Sequence, residues 1–217
     1  MPSFLNRHLA PVDRLGEILF GLIMALGFTG AVRLGREEAN SRELFIGIFG
    51  CNLAWAIVDG VMYVLTELFE RGRLTRLMRE VKKAPTEEAL LEQVGKELDS
   101  PLVPLTTEEE RRQVRGWVLE AIRRGDPQPA RVEREDLMGG LAVGLVILLA
   151  TLPVLVPFLI FANPEVAVRV SNAVALCELF LLGARWGQIV GASPWRLATG
   201  LTLLGLVLVL VTIALGG

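Results

Sequence analysis

The sequence predicts an all-α, polytopic membrane protein with five transmembrane helices and a cytosolic helical insert between the second and third. Three observations lead there. Hydrophobic residues make up 52% of the 217-residue chain and gather into long Leu/Val/Ile/Gly blocks, as membrane-crossing helices require. The blocks lack the two-residue alternation of a barrel, and only helices or closed barrels satisfy their backbone in lipid. Charge is concentrated in one polar stretch between apolar blocks, so the net charge of -2 describes neither part. The expected division is 1–68 (polar lead and helices one and two), 69–137 (insert) and 138–217 (helices three to five).

Residues Met1–Arg14 form a polar lead whose only histidine, His8, reads as solvated or interfacial. Leu15–Leu34 is long enough to span and has no small-residue cleavage site, so it is expected to be a retained helix. Glu17 lies near its entry, and Gly21, Gly27 and Gly30 mark places for close helix approach. A charged turn, Gly35–Arg42, leads to the second span, Leu44–Leu68. Leu74, Leu77, Met78 and Val81 then recur at helical spacing, so this helix should continue beyond the apolar run until Pro85 breaks it. Thr86–Leu98 reads as a second insert helix ended by Asp99-Ser100-Pro101. Thr106 and Thr107, each with Glu three residues on, offer capping boxes for a third, with Val114, Trp117, Val118, Ala121 and Ile122 as its apolar stripe. The remaining spans are Met138–Ala162, Val166–Trp186 and Trp195–Leu215. Pro153 and Pro157 interrupt the hydrogen-bond ladder of the third, which is either kinked or broken beside a cavity. Glu178 and Arg185 share a face of the fourth and suggest a water-bridged ion pair.

The chemistry points to Asn52–Glu70. An acid at the centre of a membrane helix costs roughly 2.5–3.5 kcal/mol on insertion scales, yet Asp59 stands inside this run and Glu67 two turns later. At about 100° per residue, Asp59, Met62, Tyr63, Glu67 and Glu70 fall on one side. Oxygen and thioether donors together suit a borderline transition metal better than magnesium or calcium. The alternative is a structural Asp59 at a helix–helix contact. The insert's acids (Glu87, Glu88, Glu92 and Glu97; Glu108–Glu110; Glu133, Glu135 and Asp136) have two readings as well, metal collection or helix-dipole and solvated ion pairs.

Fourteen Lys/Arg in the insert, against none at the carboxyl-terminal end, place the amino terminus and insert in the cytosol and the carboxyl terminus opposite. Cys51 and Cys177 lack metal or redox spacing and read as small core residues. No nucleophile–base pair, phosphate loop or paired-histidine motif appears, so an enzyme is not expected. Within the insert basic residues are balanced by acids, which leaves nucleic-acid binding without support.

Several stretches resemble the vacuolar iron transporter family of divalent-metal/proton exchangers. Asp59-Gly60-Val61-Met62 with Glu67 is similar to that family's second-span pattern of an aspartate, a methionine about a turn later and a glutamate eight residues on. Leu152-Pro153-Val154-Leu155-Val156-Pro157-Phe158 resembles its double-proline third span, and Gly27-Phe28-Thr29-Gly30-Ala31 the small-residue end of its first. The order of two spans, an insert and three spans also matches. The resemblance implies a homodimer with the ion path at its interface, and a cytosolic insert that collects metal. It further implies Fe2+ or Mn2+ carried out of the cytosol against protons, with no permanently bound cofactor. Asp59, Met62 and Glu67 inherit the pathway role. The chain departs from the pattern in two ways: Met62 comes three residues after Asp59, and the family's first-span Asp-Gly pair is missing, with Glu17 close to its place. The competing reading is a membrane-anchored interaction protein whose amphipathic helices bind a partner or anionic lipid, a role to which the basic run Arg71–Lys83 is suited.

Overall fold

The computed structural model describes residues 4–34, 40–83 and 86–214, and among them every regular element is a helix. The helices are α1 (Phe4–His8), α2 (Pro11–Leu34), α3 (Ser41–Lys83), α4 (Glu87–Leu102), α5 (Glu108–Arg124), α6 (Arg134–Ile160), α7 (Pro164–Val190) and α8 (Pro194–Ala214). Most of the turn expected over Gly35–Arg42, Pro85, the surroundings of Gly30, and the side chains of Glu87 and Glu97 lie outside what is described. The chain divides into two compact units, Met1–Val64 with Arg134–Gly217, and Leu65–Glu133.

In the first unit, α3, α6 and α7 are long and apolar enough to cross a membrane. A 27-residue helix rises about 40 Å at 1.5 Å per residue, against about 30 Å of hydrocarbon. Leu22, Leu26, Ile48, Val154, Leu155, Phe158 and Leu179 form the main core, to which α2, α3, α6 and α7 all contribute. Because lipid is as apolar as leucine, burial alone cannot hold such helices together, and small residues that admit close backbones matter more. A Cβ on Gly60 of α3 would lie 2.7 Å from the Gly140 carbonyl oxygen of α6, and one on Gly140 2.5 Å from the Gly60 oxygen. One turn away, the ring of Tyr63 sits over Gly139 and its hydroxyl lies 3.4 Å from the His8 carbonyl oxygen. A buried polar node adds direction: Asn52 donates to the Ile48 carbonyl at 3.0 Å, and the Thr151 hydroxyl lies 3.2 Å from Asn52 Oδ1. Both residues are almost wholly buried.

α6 runs through Pro153 and Pro157 without a break, so of the two readings of that stretch the broken helix does not hold. The Ser171 hydroxyl of α7 donates to the Val154 carbonyl between the prolines at 2.8 Å. Of the two readings of His8, solvated or interfacial, the first does not hold: its ring lies against Phe4, and Nδ1 is 3.4 Å from Glu135. α7 and α8 form a tight hairpin. Cβ atoms on Gly183 and Gly187 would lie 2.6 Å from the Leu197 oxygen and 2.7 Å from Pro194 Cα. Gly191, at φ 70°, caps α7 in the left-handed region that glycine tolerates.

In the second unit, Val81, Leu90, Val94 and Leu119 make a small core with Leu77, Val118 and Ile122. Two expectations are corrected. α4 runs on through Asp99-Ser100-Pro101 to Leu102, because the Asp99 carboxylate is taken by the Arg115 guanidinium of α5 while its carbonyl accepts the Val103 N–H at 2.8 Å. Trp117 is 68% exposed, and Leu119, which the expected stripe omits, is buried in its place. Thr107, not Thr106, caps α5. Its hydroxyl accepts the Glu110 N–H, and the Glu110 carboxylate accepts the Thr107 N–H at 2.7 Å. This N–H holds the Glu110 carboxyl below its usual range, and the Arg111 guanidinium does the same for Glu108.

Two outcomes follow from these contacts. Gly140→Val forces a side chain against backbone that cannot yield and should cost about 1–3 kcal/mol, read as a lowered thermal midpoint in detergent. Gly200→Ala, with open space around it, should leave that midpoint unchanged. Glu108 and Glu110 have folded-state pKa values below the ordinary 4.5. Their stabilisation is therefore complete above about pH 4.5 and drains away as pH falls through the lowered values. Protection of α5 amides, corrected for intrinsic exchange, should fall in that window in the parent protein, and Glu110→Gln should flatten the dependence.

Candidate metal site between α2 and α3

α2 and α3 are antiparallel neighbours whose side chains meet in rungs. Glu17 faces Asp59, near enough for the two carboxyls to influence one another. Phe20 meets Trp55 with ring centroids 6.4 Å apart, and Cys51 Sγ lies 3.3 Å from Met24 Sδ. Phe28 then fills the space beside Gly47. Each step of three or four residues up α2 is matched by a similar step down α3, so one face of each helix is read rung by rung. The Gly60–Gly140 approach fixes α3 on its other side, and Gly21 makes room for Asn52, whose Oδ1 would lie 3.5 Å from a Cβ there.

The first rung holds the chemistry. Asp59 and Glu17 are both half-buried, and Glu17 Oε2 is shielded from solvent without a hydrogen-bond partner. Asp13 stands one turn before Glu17 on α2. Two carboxyls in contact repel when both are ionised, and a proton or a cation held between them relieves that repulsion. Replacement of one occupant by the other is what an exchanger needs.

The structure thus brings Glu17 to Asp59. Met62, one turn beyond Asp59, is 51% exposed. Tyr63 leaves the acidic face and turns to α6 and His8, because Gly139 offers its ring a slot. Glu67 is half-buried on the part of α3 that belongs to the second unit. Among the described residues no three His, Cys, Asp or Glu side chains converge as a metal cluster. In the insert, Glu110 caps α5, Glu108 binds Arg111 at 2.7 Å, and Glu92 binds Lys96 at 3.0 Å. Asn52 and Thr151 were not anticipated. An amide inside an apolar run is the signal that could have found them.

A second polar group lies apart from this pair. Glu178, Arg185 and Arg14 line a cavity of about 750 Å3 together with Ile18, Leu149 and Leu181. The expected Glu178–Arg185 bridge has no direct contact among the described residues. Arg185 instead donates to Gln188 at 2.8 Å, while Glu178 Oε2 is buried without a partner.

A bundle of helices long and apolar enough to cross a bilayer points to an integral membrane protein. The comparison with known families gives the particular one: the profile of the VIT family matches residues 66–217, the greater part of the chain, and the protein belongs to that family. Its members are membrane metal-ion transporters, not enzymes. The match begins after Asp59, so the assignment is independent of the α2–α3 rungs. No curated protein matches the chain.

The site predicts a binding signature. Fe2+ or Mn2+ should raise the thermal midpoint of the detergent-solubilised protein, and Glu17→Gln or Asp59→Asn should weaken that response at least tenfold in metal concentration. An unaltered response in both variants would place the cation elsewhere.

Proposed function

We propose that this protein is a secondary transporter that moves a divalent transition metal, Fe2+ or Mn2+, out of the cytosol in exchange for protons. The observation that carries the reading is the Glu17–Asp59 contact within an apolar helix bundle, in a chain of the VIT family. Deprotonated, the two carboxyls bind the cation; protons arriving from the opposite side displace it. Met62 adds a thioether one turn away, which favours iron or manganese over calcium. Glu67 continues the acidic route along α3.

In this reading the bilayer is crossed five times, by α2, the apolar part of α3, α6, α7 and α8. At 24 and 21 residues, α2 and α8 reach about 36 and 32 Å, enough for the hydrocarbon. The amino terminus and residues 69–137 lie in the cytosol and the carboxyl terminus opposite, by the distribution of Lys and Arg. Two copies pair along the α2–α3 side, where Phe20, Val58, Val61 and Met62 are each more than half exposed, and the route runs along their interface. Protons and the divalent metal are its solutes. No cofactor is bound permanently.

Purified protein in liposomes carrying a pH gradient tests this. Gradient-driven Fe2+ or Mn2+ uptake is expected in the parent, while Asp59→Ala and Glu67→Ala should abolish it with dimer and fold intact. Full uptake in both variants overturns the mechanism.

A further inference from the structure

The rung formed by Met24 and Cys51 has no place in the mechanism above. Met24 lies near the middle of α2, and Cys51 is the residue opposite it on α3. Both are half-buried. Seven residues separate Glu17 from Met24, a rise of about 10.5 Å along the helix. The tilted Phe20–Trp55 pair fills the interval. The α2–α3 seam therefore presents two oxygen donors, an aromatic pair and two sulfur donors in order, and Glu17 Oε2 at the first rung is buried with nothing to bind.

Resting on the transport reading, we propose that Met24 and Cys51 form a second station on the cation route, which takes a thiophilic divalent ion. Thiolate and thioether ligands select soft and borderline metals, whereas carboxylate suits manganese, magnesium and calcium as well. A route that passes both rungs thus admits Fe2+ ahead of Mn2+. Binding replaces the Cys51 S–H bond with a metal–sulfur bond and releases the proton to water. At about 2.3 Å per metal–sulfur bond, an ion held between the two atoms needs a separation of roughly 4 Å or more. The 3.3 Å gap must open by about 1 Å, which the three torsions of the Met24 side chain can supply.

The test is alkylation of Cys51 by a small maleimide in the full-length detergent-solubilised protein, with Cd2+ as the probe and the exposed Cys177 as the reference thiol. Cd2+ should slow labelling of Cys51 more than that of Cys177. Met24→Leu, which keeps the volume and removes the sulfur, should raise the Cd2+ concentration needed at least tenfold. Asp59→Asn should leave that concentration unchanged. Protection that persists undiminished in Met24→Leu reduces the site to a single thiol and overturns the proposal, as does a Cys51 that Cd2+ fails to protect or that maleimide cannot reach. The measurement involves no transport. A protein that binds Cd2+ here yet moves no metal would refute the transport reading alone.

Discussion

The bundle depends on backbone meeting backbone where α3 crosses α6. Gly60 and Gly140 leave each other's carbonyls no room for a Cβ, and the contact fixes both the height and the rotation of α3. With that side of the helix committed, Tyr63 goes to the Gly139 slot and Asn52 to Thr151. Asp59 is left to meet α2. A polar node such as Asn52–Thr151 adds only a modest net gain, but in an apolar setting it penalises any rotation that would strand the amide. Position is thus set by glycines and one amide, and the carboxyl contact is its product.

The α2–α3 seam has consequences for selectivity as well as for binding. Oxygen donors alone would accept many divalent ions, and sulfur alone would favour the softest. If the two rungs act as proposed, passage depends on a compromise that borderline metals satisfy. The half-exposed Met62 and Phe20 belong to the same side of the bundle, so sequence changes that look like simple surface variation there would alter what the route accepts.

Much of this was legible in the sequence, because hydrophobic blocks of membrane length have few alternatives. The positions of α2, α3, α6, α7 and α8 follow the apolar runs closely, and the amphipathic continuation of α3 follows its Leu/Val spacing. Glu17 was noticed but could not be joined to Asp59, since residues 42 apart meet only through a register that periodicity does not encode. The errors were of one kind. A helical wheel grouped Tyr63 with Asp59 and put Trp117 in a core stripe, although a ring goes where a glycine on another helix leaves space. Asp99-Ser100-Pro101 looked like a stop until Arg115, sixteen residues away, was found holding Asp99.

The hairpin of α7 and α8 has a consequence for biogenesis. Only Gly191, Ala192 and Ser193 separate the helices, and Gly183 and Gly187 bring α7 directly onto the backbone at the start of α8. So little space remains at the turn that a lipid tail has no entry between them. The pair is expected to leave the translocation machinery together, with α7 retained there until α8 has been synthesised. Its assembly would then be an all-or-nothing step in the making of the protein.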